Sequence, residues 1–155
     1  MNIMTTSKKV QLLGYEIFAD DIKIFGNGVK GVINTINPHT YIIARKDKTL
    51  KEALLSSDHL IPDGVGIKYA IRLLKGSKIQ KIAGADLHNI IISLLNEKKG
   101  TCFYLGSTDD TLDRIKTRLR NEYPNVTAGY YSPPFKDIFS VTDTDEMIDA
   151  VGRFS

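Results

Sequence analysis

A single cysteine, Cys102, in 155 residues excludes an internal disulfide, and one thiol cannot build a thiolate metal site. Its setting, Thr101-Cys102-Phe103-Tyr104-Leu105, reads as a buried strand, so the thiol is expected in the core. The three histidines, His39, His59 and His88, fall in different elements with no shared ligand spacing, and no metal site is expected from them. No run approaches the roughly 20 apolar residues that a membrane-spanning helix needs, and Met1 to Lys9 lack the apolar stretch of a secretory leader. The chain is therefore expected to be cytoplasmic, with any membrane contact peripheral, at the inner face of the plasma membrane. Charge of one sign is scarce as well: 21 basic against 18 acidic residues leave a formal charge of +3, too mild to indicate a nucleic-acid partner. Internal repeats and low-complexity tracts are missing too.

What is present is 42% apolar residues, enough for one ordinary core, so a single domain over residues 1–155 is expected. Residues 1–30 read as a strand or hairpin region, in which Val10 to Phe18 alternates and Gly26-Asn27-Gly28 supplies a turn. Val32 to Ile36 is a short apolar strand. Asn37-Pro38 then presents a helix cap followed by proline at the first helical position, and a helix toward Ser56 is expected. His59-Leu60-Ile61 is another strand, and Pro62-Asp63-Gly64 turns into a helix whose Val65, Tyr69 and Leu73, with Ile67, Ala70, Ile71 and Leu74, supply an apolar face.

The clearest helix is Ala85 to Glu97, where Leu87, Ile90, Ile91, Leu94 and Leu95 recur with the helical period and are expected in the core. A strand over Thr101 to Leu105 follows, then a helix carrying Leu112, Ile115 and Leu119, a strand from Val126 to Tyr131, and a polar tail over 136–155 with a short helix from Asp145 to Val151. Repeated strand-helix alternation predicts a Rossmann-like layered α/β fold with a mostly parallel sheet flanked by helices.

Two polar blocks, Asn34-Thr35-Ile36-Asn37-Pro38 and Pro62-Asp63-Gly64-Val65-Gly66, each stand where an apolar run ends and a helical pattern begins. In an open α/β sheet such strand ends face one crevice, where ligands bind. Asp63, held on a tight turn between Pro62 and Gly64, is the leading catalytic candidate, and Gly64 beside it is a candidate substrate-binding position. A carboxylate there can take the proton of a hydroxyl as a new bond forms, although it is far too weak a base to remove that proton beforehand. The competing explanation is a helix N-cap, a role for which Asp is among the preferred residues. Thr35 and Asn37 alternate with Ile36, so their side chains leave the same face as a polar clip for a ligand. Asn37 is equally well explained as a cap, and Thr35 as a partner for nearby backbone.

Gly106-Ser107, after a strand and before a helix, is a candidate phosphate cradle built from backbone N–H groups. Capping alone accounts for the same residues. Lys81, Gly84 and Asp86 lie in a loop that leads into the most regular helix. Lys81 there would neutralise a diphosphate as a point charge, or else is simply solvated, with Asp86 serving the helix dipole. Asp143-Thr144-Asp145 superficially matches an Asp-x-Asp cation motif and is expected to be solvated.

Taken in order, Thr35-x-Asn37, Pro62-Asp63-Gly64-Val65-Gly66, Gly84-x-Asp86-Leu87, Phe103-Tyr104-Leu105-Gly106 and Gly129-Tyr130-Tyr131-Ser132-Pro133-Pro134-Phe135 resemble the WecG/TagA/CpsF glycosyltransferase family. The resemblance runs from about Leu12 to Phe135. It implies a Rossmann-like, inverting bacterial transferase that moves an N-acetylmannosamine-type sugar from a UDP donor to a lipid-linked acceptor at the membrane, undecaprenyl-diphosphate N-acetylglucosamine. The pathway would be cell-envelope polysaccharide or teichoic-acid synthesis. It also implies that the residue matching Asp63 is the base on the acceptor hydroxyl and that Thr35 lies beside it. The UDP-sugar would be a substrate, with no cofactor and no metal.

Members usually continue through a Gly-x-Pro-x-Gln-Glu-x-Trp stretch and a basic appendage, neither of which is in this chain. A truncated or frame-shifted member is therefore expected, with an unpaired sheet edge that invites homo-oligomerisation. The rival readings are a nucleotide-sugar-binding remnant or regulatory module that uses the same crevice without turnover, and a metal-dependent phosphohydrolase. Many members also carry an arginine where this chain has Lys81, so positive charge survives here without a bidentate fork. Lys81→Arg is expected to tighten UDP-sugar binding in a calorimetric titration, and an unchanged affinity would argue against contact between Lys81 and the diphosphate.

Overall fold

In the computed structural model, which describes residues 7–27 and 31–154, the chain opens with an antiparallel hairpin of Lys9–Leu12 (β1) and Tyr15–Phe18 (β2). Leu13 and Gly14 turn the chain with φ of 51° and 89°, the doubly positive pair that suits the twist of a two-residue hairpin. Ile33–Ile36 (β3) and His59–Pro62 (β4) run parallel to each other, and β4 runs parallel to β2, giving a four-stranded sheet of order β1-β2-β4-β3. The mostly parallel α/β architecture thus agrees with the strand-helix alternation of the sequence.

Strand alternation divides the apolar residues between the two faces of this sheet. Ile17, Ile36 and Leu60 pack on one face with Ala44, Leu54, Ile67, Ile71 and Ile79. Phe18 and Ile61 pack on the other with Phe25 and Ile82, flanked by the half-buried Ile33 and Leu87. His59 stands edge-on to the rings of Phe18 and Phe25, with centroids 5.9 and 5.2 Å away. Burial there, followed by the nearby charge of Lys9, lowers the pKa of its imidazole.

Three helices accompany these strands: Pro38–Ala44 (α1), Lys48–Leu55 (α2) and Val65–Lys75 (α3). The single helix expected from Pro38 to Ser56 is broken because Asp47 accepts from Leu50 N and caps a new helix. A side chain that satisfies orphan N–H groups competes directly with continuation of the preceding helix. Gly26 and Asn27, expected in a turn, belong to a 3-10 helix over Ile22–Asn27, and Gly28 lies outside the described residues. On α3 only Ile67 and Ile71 are buried, whereas Val65, Tyr69 and Leu73 point outward. Its apolar residues therefore form two stripes, not the one face expected.

The chain divides into two compact units, Met1–Ile91 and Ile92–Ser155, and the boundary falls within Gly84–Lys98 (α4). Ile92 is the buried residue of α4, while Leu87, Ile90, Ile91, Leu94 and Leu95, expected in the core, are half-buried. Periodicity identifies the apolar face of a helix and is silent on how fully that face is covered.

In the second unit Thr101–Leu105 (β5) and Thr127–Tyr131 (β6) pair in parallel, joined through Asp109–Glu122 (α5). Cys102 is half-buried, not in the core as expected, because each strand of a two-stranded sheet has one neighbour. Burial still pushes its thiol pKa up, and that of Tyr104 to about 12. Tyr104 stacks on Tyr130 with centroids 5.7 Å apart.

Val141–Phe154 (α6) is twice the length expected for the terminal helix and ends against β5 and β6. Phe154 meets Phe103 at 5.5 Å, over Gly129, where a Cβ would stand 2.5 Å from Phe103 and 2.7 Å from Phe154. Asp143, expected to be solvated, is buried at the start of α6. Its Oδ2 accepts from Ser140 N at 2.8 Å and Ser140 Oγ at 2.7 Å, and its Oδ1 accepts from Lys136 Nζ at 2.6 Å. Asp143 N donates back to Ser140 Oγ, which completes a reciprocal capping box.

The bond from Lys136, together with those from Ser140, holds the Asp143 carboxyl down at about 2, below its value in an unfolded chain. A depressed carboxylate stabilises the fold above its unfolded pKa and ceases to do so as pH falls through the folded one. The difference in urea midpoint between the parent chain and Asp143→Asn is therefore expected to be largest at neutral pH and to close between about pH 4 and pH 2. A difference that persists at the acid end would contradict this role.

Candidate active site

Two backbone hydrogen bonds assemble the carboxyl end of the first sheet. The β3–β4 ladder pairs Thr35 with Ile61 and Ile36 with Pro62, and it continues one step further where Asp63 N donates to Ile36 O at 3.0 Å. Alternation turns the carbonyl of Pro62 to the opposite side of β4, where it accepts from Ile82 N at 3.2 Å. Three segments converge here: the end of β3 with Thr35 and Asn37, the end of β4 with Asp63, and the loop carrying Lys81 into α4.

Glycine brings the two polar blocks together. A Cβ on Gly66 would lie 2.5 Å from Cγ of Pro38, so the first turn of α3 approaches the first turn of α1 closely because residue 66 has no side chain. Gly64 turns the chain between Asp63 and α3 with φ of 82° and ψ of 158°, a conformation essentially restricted to glycine. The expectation that both blocks face one crevice agrees with this contact.

Asp63 is partly exposed, and the capping explanation for it fails: the cap residue of α3 is Gly64, with no side-chain capping bond. Among the described residues its carboxylate takes part in no hydrogen bond or ion pair. A partly exposed carboxylate at a strand end that the chain itself does not engage is available to a ligand's hydroxyl. Thr35 is exposed on the same face by alternation, and its hydroxyl has no partner among the described residues.

Asn37 does act as the cap of α1. Its Oδ1 accepts from Thr40 N at 2.8 Å and from Thr40 Oγ1 at 3.1 Å, which leaves the Nδ2 donors to face outward. Asp86 also has a structural role, since Oδ2 accepts from Ala83 N at 3.4 Å at the start of α4. Lys81 is exposed, and Gly84 opens α4 with space around it.

Gly106 and Ser107 belong to the second unit, at the end of β5. Gly106 N donates to Tyr131 O at 2.9 Å, and Ser107 adopts a φ of 67°, left-handed for a non-glycine residue. Ser132 Oγ donates to Ser107 O, and Thr108 caps α5 through Thr111 N. The fold accounts for much of this loop without a phosphate. Among the described residues no three His, Cys, Asp or Glu side chains gather as a metal ligand set, and no helix is long and apolar enough to cross a membrane.

Sequence reasoning missed the seating of Gly66 on Pro38 and the bond from Ile82 N. The first had a signal, since a glycine in the first turn of a helix sacrifices stability relative to alanine and so suggests a close approach. The second had none, because a single backbone N–H looks the same at every position. Gly66→Ala is expected to destabilise the chain by about 1–3 kcal/mol through overpacking against Pro38, read from urea unfolding. Gly84→Ala is the control: a Cβ there meets nothing within 4 Å, and an equal loss in both variants would refute the contact.

The family model for the glycosyl transferase WecG/TagA/CpsF family matches residues 3–155. A Bacillus subtilis protein named N-acetylglucosaminyldiphosphoundecaprenol N-acetyl-beta-D-mannosaminyltransferase is 32% identical over 104 residues, 67% of this chain and 41% of the relative. A Bacillus spizizenii protein of the same name is 28% identical over 112 residues, 72% of this chain and 44% of the relative. The chain thus spans less than half the length of these two relatives.

Proposed function

Because the chain belongs to the WecG/TagA/CpsF family of glycosyl transferases, we propose that it carries the acceptor-side catalytic centre of an inverting N-acetylmannosaminyl transfer. The donor is a UDP-sugar and the acceptor an undecaprenyl-diphosphate-linked N-acetylglucosamine, the lipid that the names of the two relatives contain. The observation that carries this reading is the open carboxylate of Asp63. It lies at the end of β4, it caps nothing, and it shares a sheet face with the hydroxyl of Thr35.

In the proposed step an acceptor hydroxyl oxygen attacks the anomeric carbon of the donor from the side opposite UDP. The bond from that carbon to the diphosphate oxygen breaks, and its electron pair leaves with UDP. Asp63 takes the hydroxyl proton as the new bond forms, which is the only stage at which so weak a base is effective. Thr35 orients the hydroxyl, and Nδ2 of Asn37 donates to an acceptor oxygen while Oδ1 remains committed to α1. Lys81 contributes positive charge for the departing diphosphate. Gly84 at the start of α4 is a further candidate position for phosphate oxygens. Rate acceleration would come mainly from positioning and from stabilising the anionic leaving group.

Asp63→Asn is expected to lower the transfer rate of this chain by about 10²–10⁴-fold, the usual contribution of a general base, while UDP-sugar binding by titration stays within about twofold. Retention of full transfer activity by Asp63→Asn would overturn the assignment. Binding of donor without turnover in the parent chain would support the non-catalytic reading instead.

A further inference from the structure

The outward stripe of α3 is left uncovered by the described residues. Val65, Tyr69 and Leu73 are 58%, 61% and 85% exposed, although Ile67 and Ile71 on the opposite side already anchor the helix in the core. At 3.6 residues per turn the three span roughly 80° of arc, and Lys68, Arg72 and Lys75 fill an adjoining arc of similar width. All three basic residues are exposed. Between Gly64 and Ala85 the chain carries five basic residues, Lys68, Arg72, Lys75, Lys78 and Lys81, and no acidic one.

We propose that this face of α3 docks on an anionic lipid bilayer. The inference rests on the reading above, in which the acceptor is lipid-linked, and it specifies which surface meets the membrane that holds that acceptor. An apolar stripe beside a cationic one lets a helix lie in the interface, with its apolar side chains among the acyl chains and its ammonium and guanidinium groups at the headgroups. Tyrosine suits this boundary, since its ring is apolar and its hydroxyl is wet. The lack of any carboxylate over this stretch selects an anionic surface and disfavours a neutral one. Placement supports the same occupant: α3 starts two residues after Asp63, so a bilayer under α3 presents its lipid headgroups beside the open carboxylate. Val65, the residue nearest Asp63 in the stripe, is where lipid contact and chemistry adjoin.

Flotation of the 155-residue chain with vesicles of phosphatidylglycerol, and separately of phosphatidylcholine, both free of any diphosphate-linked lipid, tests this directly. The chain is expected to float with the anionic vesicles and not with the neutral ones, and to be released at about 1 M salt, where the Debye length falls to roughly 3 Å. Tyr69→Ser with Leu73→Ser is expected to reduce partitioning at least tenfold, and Lys68→Gln with Arg72→Gln and Lys75→Gln to do the same. Leu73→Gln alone, at the most exposed position, gives a smaller loss and keeps the test open if a multiple variant unfolds. Asp63→Asn is expected to bind vesicles as the parent does.

Absence of flotation by the parent chain, or undiminished flotation of the apolar variant, overturns the proposal. So does self-association that the same apolar substitutions abolish, since that result assigns the face to a second copy. Transfer to a water-soluble, short-chain acceptor analogue separates the two claims. If it proceeds while vesicle binding fails, the membrane face is wrong and the transferase reading stands. If vesicle binding holds while that transfer fails, the reverse follows.

Discussion

Everything proposed for this chain depends on how the β3–β4 ladder ends. The bond from Asp63 N to Ile36 O carries the pairing one residue past the regular strand, and it fixes the backbone of Asp63 while leaving the carboxylate unengaged. Ile82 N closes the other side of the same strand end through Pro62 O. A residue held by its main chain on one side, and preceded by a carbonyl held on the other, has little freedom to swing. The side chain is positioned without using any of its own hydrogen-bonding capacity, which is what a group reserved for a ligand requires.

The surroundings of that strand end use glycine in two different ways. Gly64 supplies a backbone conformation that a side chain would strain, and Gly66 supplies space for Pro38. Together they bring the first turns of α1 and α3 close to each other. Asn37 fits the same arrangement, since half of its amide secures α1 and the other half is left to face outward. Structural and chemical duties are thus divided within one side chain, and a cap assignment for Asn37 does not compete with a binding one.

Asp63 and Asp143 make an instructive contrast. Both are aspartates near the start of a helix; in the sequence Asp63 permits a catalytic or a capping reading, and Asp143 a cation-binding or a solvated one. Asp143 has Ser140 three residues before it and Lys136 within reach, and it is consumed by them. Asp63 is followed by a glycine that takes the cap position itself, so it keeps its lone pairs. The difference lies in which donors the folded chain brings near, and neither carboxylate reveals that alone. The same limit applies to α3. Its spacing announced apolar residues and could not say that Ile67 and Ile71 would exhaust the core and leave Tyr69 and Leu73 outside.

Local order was legible in the sequence where one residue type leaves a single conformational choice. Asn37-Pro38 at the start of α1 and glycine after the ends of β4 and β5 follow from backbone sterics and from the four N–H groups that every helix start must satisfy. The mostly parallel sheet followed from strand-helix alternation, and the ordered motifs around Thr35, Asp63 and Asp86 pointed to the family. Only the tertiary structure decided that α1 and α2 are separate helices, that Cys102 and the α4 stripe are half-buried, that Asp143 is tied down and that Asp63 is not. The physical reason is that burial depends on segments distant along the chain, and that the choice among competing hydrogen-bond partners is made only in the folded chain, even where the partner is three residues away, as for Asp47 and Asp143. A sequence states what each residue can offer, and the fold determines which offers are taken.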